Sequence, residues 1–298
     1  MLKFVLIGGI ARSGTNLVRR IIGSHSKIAI PPGEFNFFSK YTKGKTVEEI
    51  LKNPRLNKWN INFSDLRNLD HREVFIQSLQ RYADKIGKEI PGEKTPFNEF
   101  YYDIFKEWLK NFDLKFIHLV RNPFDVMASY KHFQRVKNKQ NYNIRNISRH
   151  IINWQRSVSM GLARAYMFPS LYYLLKYEDI AFDPESRTRE ICSFLGVDFE
   201  KERLLNFSDY AGHKDNTSFP ENDLEKHRVY NTIRRPESRK HHLDKSEIQQ
   251  IVTICGELAN ALGYNDPGFL SFPPEGPNLD ITQKLKQYFK TRILSRAN

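Results

Sequence analysis

The chain has 298 residues, 40% of them hydrophobic, enough for one large continuous core and too many for a disordered chain. Lysine and arginine outnumber aspartate and glutamate 47 to 34, a formal charge of +13. Anionic partners are therefore favoured, though charge alone does not separate a nucleotide from nucleic acid, a phospholipid surface or an acidic acceptor. The two cysteines, Cys192 and Cys255, lie far apart in sequence; that argues against a disulfide framework or a cysteine zinc site and fits a reducing compartment.

The apolar run at residues 3–8 is too short for the core of a secretion signal and passes directly into Gly, Arg and Ser. It reads as a first strand covered on both faces. No stretch reaches the roughly 18 to 20 apolar residues of a membrane span, and a cytoplasmic location is expected. After a glycine-containing turn, Leu17, Val18, Ile21 and Ile22 repeat at helical spacing within Thr15 to Ser24. Further buried runs at Lys115–Val120 and Leu171–Leu175 precede helical patterns at Phe124–Phe133 and Pro184–Leu195. This alternation predicts a three-layer α/β/α domain of P-loop type over residues 1–265, with a mostly parallel central sheet and ligands at the carboxyl ends of its strands. Residues 35–72 and 208–242 read as polar, irregular stretches: loops over the site, or solvated surface. Beyond Gly263, Pro267, Pro273, Pro274 and Pro277 mark an extended linker. In the tail, 266–298, Ile281, Leu285, Tyr288, Phe289 and Ile293 can share one face of a basic helix. Such a helix docks on its own domain or a partner, or rests weakly on a membrane surface.

The turn Gly9-Ile-Ala-Arg-Ser-Gly14-Thr-Asn16 has four residues between its glycines, the spacing of a phosphate-binding loop. Its backbone N–H groups and the amino end of the following helix favour an anion. Yet Thr15 occupies the lysine position of a nucleotide triphosphatase, Asn16 replaces the magnesium-binding hydroxyl, and the strand Lys115–Val120 ends in the cation Arg121 rather than an acid. The loop is thus suited to holding an anion without a metal, Arg12 supplying the charge. Adjacent His241 and His242 lack further ligands at useful spacing and read as a solvated turn.

Three segments in fixed order carry a family resemblance. Phe4-Val-Leu-Ile-Gly-Gly-Ile-Ala-Arg-Ser-Gly-Thr-Asn-Leu17 resembles the 5′-phosphosulfate loop of the sulfotransferases that use 3′-phosphoadenosine-5′-phosphosulfate (PAPS). Phe116-Ile-His-Leu-Val-Arg-Asn-Pro-Phe-Asp-Val-Met-Ala-Ser129 is similar to their 3′-phosphate motif, and Lys176-Tyr-Glu-Asp-Ile180 to their adenine-contacting segment. Arg12, the pair Gly33-Glu34, and Lys94 before Pro96 are closest to the tyrosylprotein and bacterial branch. The tryptophan and the late Arg-Lys-Gly motif of the small-molecule branch are absent; Leu17 stands at the first position, and Ile233-Arg-Arg-Pro-Glu-Ser-Arg-Lys240 is the candidate replacement for the second.

The resemblance implies metal-independent, in-line transfer of a sulfuryl group from PAPS to an acceptor hydroxyl on a glycan, peptide tyrosine or lipid-linked group, releasing PAP. Arg12 and Lys94 become candidates for the cations at the sulfuryl group, and Glu34 for the general base. Arg12, Ser13, Gly14, Thr15, Asn16, Arg121, Ser129 and Tyr177 become candidates for holding the nucleotide, with Arg234, Arg235 and Ser238 as weaker phosphate ligands. His118 alternates along a buried strand and reads as a core histidine, His25 as a cap or turn residue. Arg121 paired with Asp125 is the bland alternative for that cation. Two other classes remain: a P-loop small-molecule kinase, against which the loop chemistry argues, and a basic nucleic-acid-binding protein, for which no specific signature is present. A family member that binds PAP without catalysis is a third.

Overall fold

A computed structural model describes residues 2–137, 144–210, 233 and 238–264. Arg234, Arg235 and the tail helix expected within 266–298 lie outside the described residues. Five strands, β1 (Lys3–Gly8), β2 (Ile28–Ala29), β3 (Ile90–Lys94), β4 (Asp113–Val120) and β5 (Tyr172–Lys176), form one sheet in the order β2-β3-β1-β4-β5. Every pairing is parallel. The helices are α1 (Thr15–Gly23), α2 (Phe37–Tyr41), α3 (Val47–Leu51), α4 (His71–Lys85), α5 (Tyr102–Trp108), α6 (Pro123–Lys137), α7 (Ile144–Met167), α8 (Tyr177–Phe182), α9 (Pro184–Leu195), α10 (Lys201–Leu205), α11 (Phe207–Tyr210) and α12 (Lys245–Ala261).

Strand alternation sends Val5 and Ile7 to one layer, where they pack with Val18, Ile21, Ile191 and Leu204 from α1, α9 and α10. Phe4 and Leu6 point the other way, into an aromatic cluster with Phe75 and Phe105 from α4 and α5. Beside that cluster, α6, α7 and α12 bury Met127, Trp154 and Ile251 against Val120 and Leu174. The sheet is therefore covered on both faces, as a parallel sheet requires. The start of α9 shows how local the signals are: Pro184 stands at the first turn, Asp183 accepts from the Ser186 N–H, and Gly196 ends the helix at φ 60°.

Two readings need correction. Residues 35–72 are not a polar loop: Phe35 just before α2, Phe37 and Phe38 on α2, Ile50 on α3, and Trp59 and Leu66 on two short 3₁₀ turns at 54–59 and 64–68 are buried in the aromatic cluster. The polar residues that dominate the stretch are its outer surface. The interior strand β3 is also not marked by its sequence, because Pro91, Gly92, Glu93 and Lys94 run against strand propensity. It lies beside β1 all the same, with Ile7 level with Lys94.

This register puts the chemistry at one end of the sheet. Lys94 ends β3, Gly8 ends β1, Arg121 follows β4, and Lys176 ends β5 level with Val120. Four chain turns converge there, with the residue Glu34 in the segment that follows β2.

Candidate active site

The loop after β1 turns through Gly9 at φ 125°, Arg12 at φ 79° and Gly14 at φ 102°. A left-handed arginine is uncommon, and such backbone persists where its surroundings fix it. Here the Arg12 Nε donates to Ser129 Oγ at 3.0 Å, and the Ala11 carbonyl faces His150 Nε2 at 3.0 Å. Gly14 caps α1 without any side-chain acceptor on the helix amino end. No other residue fits: a Cβ there would stand 2.4 Å from the Tyr177 ring.

Ser13 requires a correction. It is fully buried, its Oγ donates to the Ile10 carbonyl at 2.8 Å, and its N–H donates to the same oxygen at 3.2 Å. Both donors are committed inside the turn, so Ser13 shapes the cradle rather than lining it. Thr15 is buried in the first turn of α1, and the Asn16 Oδ1 accepts from Arg19 Nε at 3.1 Å.

The β4 end meets this loop. Arg121 lies with its guanidinium 4.2 Å over the Tyr177 ring, a cation–π contact strengthened by burial. Its backbone carbonyl is held by Trp154 Nε1 at 2.9 Å. Asp125 does not pair with Arg121 but accepts from the Arg239 N–H at 2.7 Å. That bond ties the segment carrying exposed Ser238 to the start of α6. Tyr177 therefore presents its ring to Arg121 and Gly14 together, joining the β1, β4 and β5 turns. Glu178, next to Tyr177 in the same motif, has a role its sequence position does not mark: it accepts from the Asn122 N–H at 2.9 Å and from Tyr264 Oη at 2.9 Å, fixing the turn that carries Arg121.

A second group of charges lies at the β2 and β3 ends. Buried Lys94 donates to Glu34 Oε1 at 2.9 Å, and Arg55 donates to Glu34 Oε2 at 2.8 Å. Burial by itself would raise the Glu34 carboxyl, but Lys94 and Arg55 outweigh it and hold the group below its ordinary value. Lys94 is lowered, mainly by burial, with Glu34 opposing. Arg55 was not singled out from sequence; nothing marks it, since its partner is 21 residues away. Neighbouring Lys40 is lowered by burial and by the Arg55 charge. On the far side of β3, Glu93 is pushed up to about 7 by burial, although Thr95 and Asn98 both donate to it.

The two histidines stand as read. His118 is fully buried, bonded to Tyr172 and Ser157, and burial drives it down to about 3. His25 closes the turn after α1, bonded to the Asp198 carbonyl and the Lys27 N–H. His241 and His242 form a short exposed turn.

A parallel sheet whose carboxyl end carries a glycine-turned loop, an uncapped helix amino terminus and converging cations is the arrangement of a P-loop-type α/β fold. The chain belongs to the Sulfotransferase family, whose family model matches residues 5–201. Among curated proteins it is 27% identical to carbohydrate sulfotransferase 1 of Danio rerio over 186 residues, 57% of this chain and 42% of that protein. It is 29% identical over 170 residues to an omega-hydroxy-beta-dihydromenaquinone-9 sulfotransferase of Mycobacterium bovis, 52% of this chain and 43% of that protein. An uncharacterized protein of Aquifex aeolicus is 29% identical over 215 residues, 68% of this chain and 26% of its own. The chain thus spans from about a quarter to about two-fifths of the length of these relatives. Of solved structures, a mouse sulfotransferase complexed with PAP superposes with a TM-score of 0.53 at 14% identity, covering 97% of this chain and 89% of that one. A sulfotransferase domain from the curacin biosynthetic pathway does so at 0.50 and 20%, covering 97% and 98%. At these identities the likeness is one of fold.

Proposed function

We propose that this protein transfers the sulfuryl group of PAPS to a hydroxyl of an anionic acceptor without a metal ion, releasing PAP. The observation that carries the reading is Arg121. Its Nε is buried with no hydrogen-bond partner, at a strand end, over Tyr177 and beside the loop. A buried charged donor left unpaired is costly, and a phosphate there satisfies it. The residues therefore fit a nucleotide with a phosphate beyond its 5′ group.

When bound, PAPS supplies an activated sulfuryl group for in-line transfer, with PAP as the leaving group. In this reading Arg121 and Ser129 hold the 3′-phosphate, and Tyr177 borders the adenine. Gly14, Thr15 and Asn16 at the start of α1 hold the 5′ side with Arg12. Arg12 and Lys94 face the charge that builds during transfer, where one well-placed donor is worth about 3–4 kcal/mol. Glu34 takes the acceptor proton. Its ground-state ion pairs make it a weak base in the free protein, and any anion that draws Lys94 toward itself raises the proton affinity of Glu34. The acceptor is read as anionic because Arg55 pairs with Glu34 and the Lys40 charge acts on Arg55 in turn. A sulfated or uronate-bearing glycan, an acidic peptide with tyrosine, and a phosphorylated lipid headgroup share that chemistry.

Calorimetric titration with PAP in chelator, beside ATP with magnesium, tests the donor. Micromolar PAP binding with no response to magnesium-ATP supports it. The reverse pattern sinks it and restores the kinase reading. Transfer of radiolabelled sulfate to anionic against neutral hydroxyl acceptors then tests the acceptor class.

A further inference from the structure

Behind the loop lies a buried polar chain that the proposed chemistry leaves without a task. We infer that Glu99 is a positioning residue that sets the anion-binding loop through the backbone of Gly9. The inference rests on the reading of residues 9–16 as the donor loop. Both polar groups of Gly9 are tied to one short segment: its N–H donates to Glu99 Oε2 at 2.7 Å, and its carbonyl accepts from the Phe97 N–H at 2.9 Å. That segment runs on from Lys94 at the end of β3. Glu99 thereby fixes the spacing between the loop that carries Arg12 and the strand end that carries Lys94.

The rest of the chain sets the state of the Glu99 carboxyl. Ser157 Oγ donates to Glu99 Oε1 at 2.7 Å, His118 Nε2 lies 2.9 Å from Ser157 Oγ, and Tyr172 Oη lies 2.7 Å from His118 Nδ1. Glu99, His118, Ser157 and Tyr172 are all at or below 1% exposure. Because the Ser157 hydroxyl proton points at Glu99, its oxygen must accept from His118 Nε2–H. His118 Nδ1 must then accept from the Tyr172 hydroxyl. His118 is neutral at physiological pH, pushed down to about 3 by burial and by the Arg164 charge, and so has one donor and one acceptor nitrogen to give. Arg164, which donates to the Glu99 carbonyl and to Asp103, places its charge beside the group. Burial raises the Glu99 carboxyl above its ordinary value, opposed by the Ser157 hydroxyl, the Gly9 N–H and the Arg164 charge; with the carboxyl ionised, every bond of the chain runs toward it. α7 leaves room for the relay with Gly161, where a Cβ would stand 2.4 Å from His118 Nδ1.

Glu99→Gln should reverse the relay. The amide oxygen can still accept from Gly9, but its N–H₂ then donates to Ser157, which turns its proton to His118 Nε2 and drives the proton of His118 to Nδ1. In ¹⁵N-histidine-labelled protein, His118 should carry its proton on Nε2 in the wild type and on Nδ1 in Glu99→Gln. PAP should bind Glu99→Gln about tenfold more weakly, through loss of the charge-assisted bond to Gly9. Ser157→Ala keeps that bond; it should lower the melting temperature while changing PAP affinity less than about threefold. A wild-type His118 protonated on Nδ1 overturns the relay without any variant being needed. PAP affinity unchanged in Glu99→Gln, or falling in step with melting temperature in both variants, overturns the positioning role. Failure of the wild type to bind PAP instead overturns the donor assignment on which the inference rests.

Discussion

Replacing Arg121 separates the proposed 3′-phosphate contact from general anion attraction. In the free protein its guanidinium is already desolvated, set 4.2 Å over Tyr177, with a buried Nε that has no partner. A ligand phosphate meets a donor that needs no further ordering, so most of a charge-assisted hydrogen bond should appear as affinity, about 1.5–3 kcal/mol. Arg121→Met should then weaken PAP about 10- to 150-fold. Arg121→Lys keeps the charge but loses the planar fork and the stacking on Tyr177, and should fall between. Adenosine 5′-phosphosulfate, which lacks the 3′-phosphate, is the control in the same calorimeter; its affinity should change less than about threefold. Equal losses for both ligands would mean that Arg121 supports the fold or attracts anions generally. No loss for either would refute the assignment outright.

Glu34 is held below its ordinary value by Lys94 and Arg55, so the acid limb of kcat/KM should lie below the usual carboxylate range. Arg55→Met removes one of the two cations and should move that limb to higher pH, as pH–rate profiles of both proteins would show. Glu34→Gln should lower kcat about 10²- to 10⁴-fold with PAP affinity little changed, by steady-state kinetics beside calorimetry. Gly14→Ala combines a φ of 102° with a Cβ 2.4 Å from Tyr177; it should cost about 1–3 kcal/mol in urea unfolding and, by displacing Tyr177 and Arg121, weaken PAP at least about tenfold. Glu93, pushed up to about 7, binds its proton more tightly folded than unfolded. Its stabilising contribution is complete below its unfolded value near about 4 and is lost as pH rises through about 7. Urea midpoints should therefore decline across that window, and less steeply in Glu93→Gln.

The parts whose causes are local can be read from the chain alone. A buried apolar run, a Gly–x₄–Gly turn and a helix beginning at Thr15 place the loop, because turn geometry and helix start depend on neighbours in the chain. The same holds for α9, where Asp183, Pro184 and Gly196 mark both ends. The motif order also led to Arg12, Arg121, Ser129, Tyr177, Glu34 and Lys94. Which of these meet in space depends on the folded chain. Arg12 reaches Ser129 across 117 residues, and Lys94 reaches Glu34 across 60. Such pairs are set by sheet order and register, which a one-dimensional pattern does not encode. The structure likewise turned Ser13 inward, placed the unpromising Ile-Pro-Gly-Glu-Lys run beside β1, and folded the polar-looking stretch 35–72 onto an aromatic core. In each case burial against distant parts of the chain outweighed local propensity, which differs by only about 1 kcal/mol per residue in a strand.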